Sequence, residues 1–366
     1  MSNKTGAPGP VPALTDLDVI IPNLHWNYTG VTATNRMIAP QVARLVAACW
    51  FGPDAPDGIE TMRFGDLMWL RFGSRRPLVW HARRNNEMMA GLLLKWLGWP
   101  FRLVFTSAAQ RHHTWTTRWL IRRMDAVIAT SEASASYLTV PAEVILHGVD
   151  TERYHPPTNR DAEFRDGGLP GKYAVGCFGR VRHQKGTDIF VDAMCRLLPR
   201  YPDFSAAVIG AVDDQSFEAT LKERARAAGI ADRIRFFGEL PIDDVPPWYR
   251  RVLIYAFTSR NEGFGLTLLE AMASGDALVA ARAGAAEAVV ISGETGLLVA
   301  PGDADALAAA LEALMRDPQA AAAMGRRARD HVVRGFSIAA EAQKIVAVYG
   351  RVLRRNVAAA KAADLR

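Results

Sequence analysis

The sequence predicts an α/β protein built from two doubly wound parallel sheets. Short apolar runs alternate with segments of helix-forming composition from residue 18 to residue 355, the pattern of parallel strands joined by crossover helices. The alternation breaks once, at residues 154–170, where Pro156, Pro157, Gly167, Gly168 and Pro170 fall together with little apolar content, a linker composition. A chain of 366 residues suits two domains. The expected division is 1–155 and 156–336, followed by a terminal helical segment, 337–366.

Residues 18–22 read as the first strand. A polar loop, 23–32, carries Gly30 ahead of a helical stretch, 33–46; a glycine there either makes a plain turn or lets a phosphate or sugar approach the backbone. Residues 45–51 and 77–81 are further strands, the second ending in His81. Residues 87–97 are helical, 101–106 form a strand, and 110–123 a basic helix. Residues 125–130 form a strand, Ser131 has the composition of a helix start, and 144–146 a short strand before His147. In the second half, 173–178 is a strand, 179–186 a basic glycine-bounded loop, 187–198 a helix, 205–209 a strand, 217–228 a helix and 234–237 a strand ending in Gly238, Glu239 and Leu240. Residues 252–257 are an apolar run that reads as a buried strand, and 266–273 are rich in helix formers. Strands at 277–281 and 296–299 and helices at 304–316, 320–333 and 337–355 complete the pattern, with a frayed tail expected from 356.

Bulk properties narrow the class. Hydrophobic residues make up 49% and charged residues 22%, ordinary for a folded protein. Three cysteines, Cys49, Cys177 and Cys195, show no CxxC spacing, which suggests a reducing compartment and no disulfide frame. The proline-rich N-terminus lacks the apolar core of a signal peptide. No uncharged apolar run reaches the ~20 residues of a membrane span. A cytoplasmic protein, or one peripheral at a membrane, is expected. The net charge of +6 is unevenly placed: residues 61–124 hold twelve Arg and Lys against Asp66 and Glu87, together with six of the nine tryptophans. Interleaved cations and aromatics suit a polyanion or an anionic membrane face; nucleic acid is the competing reading.

The densest chemistry lies at residues 259–275. Glu262 and Glu270 stand eight residues apart, separated by Gly263-Phe264-Gly265 and a helix start. Strand, glycine loop and helix place them where open α/β sheets bind ligands, and free amides at the helix start favour an anion. A nucleotide sugar fits, with Gly179, Arg180, Lys185 and the amides near Leu266 and Thr267 around a diphosphate; a helix with charged ends beside a solvated basic loop is the plain alternative. In the first half, His81 is a candidate to donate to a sugar hydroxyl, and Arg83, Arg84, Arg111, His112 and His113 to bind an acidic acceptor, against the simpler reading of surface charge. Asp303-Ala304-Asp305 reads as a helix N-cap rather than a metal-binding DxD. No GxSxG, HExxH or P-loop pattern occurs, and no metal or cofactor is expected.

FGRVRHQKGTD, EGFGLTLLE and LHGVD resemble the retaining glycosyltransferases of family 4. IPNLHWNYTGVTATN, VWHARRNNEM, FTSAAQRHHT and LIRRMDAVIATS are similar to the lipopolysaccharide core mannosyltransferases of alphaproteobacterial type. The resemblance covers about residues 18–354. It implies a GT-B fold, with two Rossmann-like domains facing a central cleft and a C-terminal helix crossing back to the first. It implies metal-independent, retaining transfer of mannose from GDP-mannose to a Kdo residue of the lipid A–Kdo precursor, at the cytoplasmic face of the inner membrane. Arg180 and Lys185 would bind the diphosphate, and Glu262 the transferred sugar with the amides of residues 263–265. Leu266 and Thr267 would cap the distal phosphate, Glu270 hold the ribose, and Gly238, Glu239 and Leu240 flank the base. Gly30 and His81 would meet the donor from the first domain. Asp276 and Ala277 depart from the common pattern. Alternatives are another donor (UDP-glucose, UDP-galactose or ADP-heptose), a GT-B nucleotide-sugar epimerase, or a nucleic-acid-binding protein.

Overall fold

A computed structural model describes residues 16–26, 30–73 and 76–363. The proline-rich N-terminus, the loop tip ahead of Gly30 and the last three residues of the expected tail lie outside the described residues. The chain divides into two units, one running to Leu146 and resuming at Ile338, the other His147–Ser337.

The first unit contains β1 (Val19–Pro22), α1 (Gly30–Ala43), β2 (Ala48–Phe51), β3 (Glu60–Thr61), α2 (Phe64–Gly73), β4 (Leu78–Ala82) and α3 (Asn85–Trp96). It continues with β5 (Phe101–Ser107), α4 (Trp115–Ile121), β6 (Ala126–Ala129), α5 (Glu132–Ser136) and β7 (Glu143–Val144). Its strands pair in parallel in the order β3-β2-β1-β4-β5-β6-β7. Side chains alternate across the sheet. Ile20, Trp80 and Leu103 face α2, α3 and α4 through Leu67, Leu70, Met88, Leu92 and Leu120. Val19, Val79 and Val104 face Ile38 and Val42 of α1. Ile345 and Val348 of the last helix, α14 (Ile338–Ala363), join that second layer.

The second unit contains α6 (Arg160–Asp166), β8 (Tyr173–Phe178), α7 (Thr187–Leu197), β9 (Phe204–Ile209), α8 (Gln215–Ala227), β10 (Ile234–Phe236) and α9 (Val245–Arg251). It continues with β11 (Ile254–Phe257), α10 (Leu266–Ala273), β12 (Ala277–Ala281), α11 (Ala286–Val289), β13 (Leu297–Val299), α12 (Ala304–Arg316) and α13 (Pro318–Gly335). Its sheet is parallel, in the order β10-β9-β8-β11-β12-β13. Both sheets run outward in two directions from their first strand, so each is doubly wound.

Several elements differ from the sequence reading. Residues 154–170 are not a linker: Tyr154 and Phe164 are buried, α6 packs on α9, and Arg250 pairs with Glu163 at 2.8 Å. The boundary therefore falls at His147, where the Val149 amide donates to the Phe336 carbonyl at 2.9 Å. Asp276 anchors the same segment. It is fully buried and accepts from Arg160 at 3.0 Å, while Arg160 also donates to the Gly275 carbonyl. Helix α4 starts at Trp115, because the Thr114 hydroxyl accepts from the Thr117 amide. Helix α14 continues to Ala363 on alanine-rich, helix-forming sequence. Helix α2 escapes periodicity because its outward residues are as apolar as its inward ones; α9 escapes it because two prolines open a short helix.

Candidate active site

Where a doubly wound sheet reverses its strand order, the loops after the two flanking strands separate and leave a crevice at their carboxyl ends. In the second unit those strands are β8 and β11. The loop after β8 passes through Gly179, Arg180 and a 3₁₀ turn, His183–Lys185, into α7. The loop after β11 passes through Glu262 and Gly265 into α10. Two glycines permit this geometry. Gly186 has φ 70°, and a Cβ there would lie 2.0 Å from the Thr258 carbonyl oxygen; Gly265 has φ 94°, and a Cβ would lie 2.6 Å from the Phe257 ring.

The two loops are joined by a polar network. Arg260 forks onto Asp188 with bonds of 2.7 and 2.8 Å and donates to the His183 carbonyl at 2.6 Å. Burial opposes ionisation of Asp188, but the Arg260 hydrogen bonds and charge outweigh it and hold its pKa below the usual carboxylate range. Gln184 donates to the Asn261 carbonyl at 3.1 Å, and the Arg260 amide to the Gln184 carbonyl at 2.9 Å. Across this frame Lys185 Nζ pairs with Glu262 Oε2, which also accepts from Ser259 at 3.2 Å. Lys185 and Thr267 line one small recess, together with Gly179, Arg180, Thr187 and Ser259. The structure thus brings Lys185, Glu262 and the α10 start together, as the sequence placed them. Arg180 also borders the recess, but its half-exposed guanidinium is drawn to Asp213 at 2.7 Å.

Glu270 sits one turn into α10. Tyr249 donates to it at 2.7 Å, and Tyr154 adds a second hydroxyl. Burial raises the Glu270 pKa, with the two tyrosine bonds opposing. Leu266 opens α10, and Phe264, which precedes Gly265, packs edge-on to His147 at 4.9 Å. Gly238, at φ 70°, accepts from the Gly210 amide at 2.8 Å; Glu239 and Leu240 follow it after β10, in the same unit. Asp303 caps α12 by accepting from Ala306 at 2.9 Å, and Asp305 pairs with Arg196. Among the described residues no group of three or more His, Cys, Asp and Glu side chains is placed to hold a metal ion.

The first-unit candidates are less open than the sequence suggested. His81 is buried at the end of β4, with Nδ1 2.6 Å from the Tyr349 hydroxyl and Nε2 2.7 Å from Thr106 Oγ1. Both ring nitrogens are thereby used within the unit. Burial, reinforced by the charge of Arg83, holds its pKa well below the usual histidine value. A histidine that resists protonation when folded but not when unfolded makes stability fall as pH drops through the unfolded value of about 6.5. The expected result is a melting temperature that declines from pH 7 to pH 5.5, and a shallower decline in His81→Asn.

Arg84 is also committed internally, donating to Asn23 at 2.9 Å, Thr32 at 2.6 Å and Glu87 at 3.2 Å. It positions the loop after β1 and is not displayed to a ligand, which corrects its assignment as an acceptor contact. Arg83 is buried with its Nε unpaired, whereas Arg111 and His112 are exposed; Gly30 is the exposed first residue of α1. No local pattern signals Arg260, Asp188, Tyr249 or Tyr154, because their partners lie 21 to 116 residues away.

Two open parallel sheets, each doubly wound, are the architecture of the GT-B fold. The structure of Anabaena Alr3699/HepE in complex with UDP and glucose shares this fold with a TM-score of 0.74 at 21% identity, covering 92% of this chain and 100% of that one. Residues 159–331 match the model for glycosyl transferases group 1. The chain belongs to this family. It is 48% identical to the lipopolysaccharide core biosynthesis mannosyltransferase LpcC of Rhizobium leguminosarum bv. viciae, over 94% of this chain and 99% of that protein. It is 46% identical to the corresponding LpsB of Rhizobium meliloti, over 93% and 99%.

Proposed function

We propose that the chain transfers mannose from GDP-mannose to a Kdo residue of a lipid A–Kdo precursor, with retention of configuration and without a metal ion, at the cytoplasmic face of the membrane. The observation that carries this reading is the 48% identity to a lipopolysaccharide core mannosyltransferase over nearly the full length of both chains. In the reaction the bond between the mannose anomeric carbon and the diphosphate oxygen breaks, and a bond to an acceptor hydroxyl oxygen forms on the same face. The acceptor proton leaves with the GDP.

Lys185 supplies positive charge where the leaving diphosphate gathers negative charge, and Arg180, on rotating from Asp213, adds a second cation. The Leu266 and Thr267 amides at the start of α10 cap the distal phosphate. Glu262 exchanges Lys185 for sugar hydroxyls. Glu270 accepts from the ribose, and Gly238, Glu239 and Leu240 flank the base. On the first unit, the exposed Arg111 and His112 meet the acidic acceptor.

Thermal shift against GDP-mannose, UDP-glucose, UDP-galactose and ADP-heptose tests the donor. Stabilisation by GDP and GDP-mannose alone is expected; selective stabilisation by another nucleotide sugar would replace the donor assignment. The Glu270 carboxylate accepts from the ribose more strongly when ionised than when protonated, and burial raises its pKa. Nucleotide affinity is therefore expected to weaken on acidification while the pH is still above the ordinary glutamate range, and Glu270→Gln to bind more weakly with that pH dependence removed. Titration calorimetry across pH checks both.

A further inference from the structure

Helices α2 and α3 are apolar on the side that protein covers and on the side that it does not. In α2, Leu67 and Leu70 face the core while Phe64, Trp69 and Phe72 face outward; in α3, Met88 and Leu92 face the core while Met89, Leu93 and Trp96 face outward. The six outward side chains are between 45% and 81% exposed. A water-facing helix normally turns a polar face to solvent, and an apolar one marks contact with another phase or partner. Both helices pack on the same face of the first unit's sheet. They are tied together there, since the Trp99 indole after α3 donates to the Leu67 carbonyl of α2 at 2.8 Å. The two apolar stripes thus belong to the helix layer on one face of the first unit's sheet.

The rim of this surface is cationic. Arg63, Arg71, Arg118, Arg122 and Arg123 are all exposed on or beside α2 and α4. Arg71 lies 5.2 Å from both the Phe72 and Trp99 rings, and Arg123 lies 3.5 Å over Trp119, whose ring meets Trp96 edge-on. Guanidinium groups stacked on aromatic rings at the edge of an apolar stripe suit the boundary between lipid phosphates and acyl chains, which offers an anion and an apolar layer at one depth. A nucleic acid offers the anion without the apolar layer. A second copy would set these arginines against their own image. No helix among the described residues is long and apolar enough to cross a membrane, so contact through this face is interfacial.

The geometry points to the outer faces of α2 and α3, rimmed by these arginines, as the surface that docks the enzyme on an anionic phospholipid bilayer, with Phe72, Trp69, Leu93 and Trp96 entering the acyl boundary. It deepens the membrane placement proposed above but needs no nucleotide sugar or acceptor, so its test is separate. Flotation of the full chain with phosphatidylethanolamine–phosphatidylglycerol vesicles is expected to recover the protein with the lipid and to shift tryptophan emission to the blue. Phosphatidylcholine vesicles should recover much less. The pairs Trp69→Ser with Phe72→Ser, and Leu93→Ser with Trp96→Ser, should each lower the partition coefficient ~10-fold or more. Their melting temperature and nucleotide-induced thermal shift should be unchanged. Arg71→Gln with Arg118→Gln should weaken binding to the anionic vesicles and leave the phosphatidylcholine background unaltered. Wild-type protein that stays with the soluble fraction, or serine variants that float as well as wild type, would overturn the assignment. So would a concentration-dependent dimer that the serine variants dissolve in the absence of vesicles.

Discussion

Glu262→Ala is expected to reduce sugar transfer by about 10³-fold or more, the scale on which removing one preorganised group from a charge-developing site acts. The carboxylate reaches across from the β11 loop to Lys185 on the β8 loop and is braced by Ser259. It is only partly buried, so its removal leaves no core cavity, and the melting temperature should stay near that of wild type. The frame that positions it, the Arg260–Asp188 fork, is untouched. Initial rates with saturating donor and circular dichroism on the same preparation check the two halves of this expectation. Turnover close to wild type would remove Glu262 from the machinery. Lys185→Ala should act on donor affinity, and the double variant should lose less than the sum of the two single losses, because the residues face one another.

The second large effect is on stability. Glu87 is fully buried and accepts from the Arg83 amide at 2.7 Å, the Arg84 amide at 3.1 Å, the Leu24 amide at 3.4 Å and the Arg84 guanidinium at 3.2 Å. One carboxylate thus fastens the start of α3 to the loop after β1. Burial raises its pKa, and the hydrogen bonds from Arg83, Arg84 and Leu24 work against that rise. Glu87→Ala strips the largely covered Arg84 of its counter-ion and orphans buried amides, a change that costs about 3–5 kcal/mol. A loss of roughly 10 °C in melting temperature is expected, by scanning calorimetry. A shift within a degree or two of wild type would show that water replaces the carboxylate without cost.

The sheets were legible because parallel strands buried on both faces read as apolar runs, and the residues of β8 and β12 follow directly from that pattern, as those of α10 do from their helix formers. The donor-site candidates were legible because local spacing governs a strand–loop–helix turn: Lys185 and Glu262 each sit a few residues past their own strand. What was hidden depends on long-range partners. Arg84 looked like a surface cation until Asn23 and Thr32 were found beside it. His81 looked open until Tyr349, 268 residues away, closed on it. Asp276, a departure from the common pattern, gained a purpose once Arg160 was seen to reach it from a segment read as linker. Helix α2 was invisible because periodicity needs contrast, and its two faces offer none.

The proposed transfer of mannose to a Kdo-bearing lipid is open to direct assay. The most direct measurement incubates the purified chain with radiolabelled GDP-mannose and a lipid A–Kdo acceptor in chelator-treated buffer, then determines the linkage of the product by NMR. The expected result is label in the lipid fraction as a single α-mannosyl residue on Kdo. Absence of label from GDP-mannose alongside transfer from another nucleotide sugar, or a β-linked product, would contradict it.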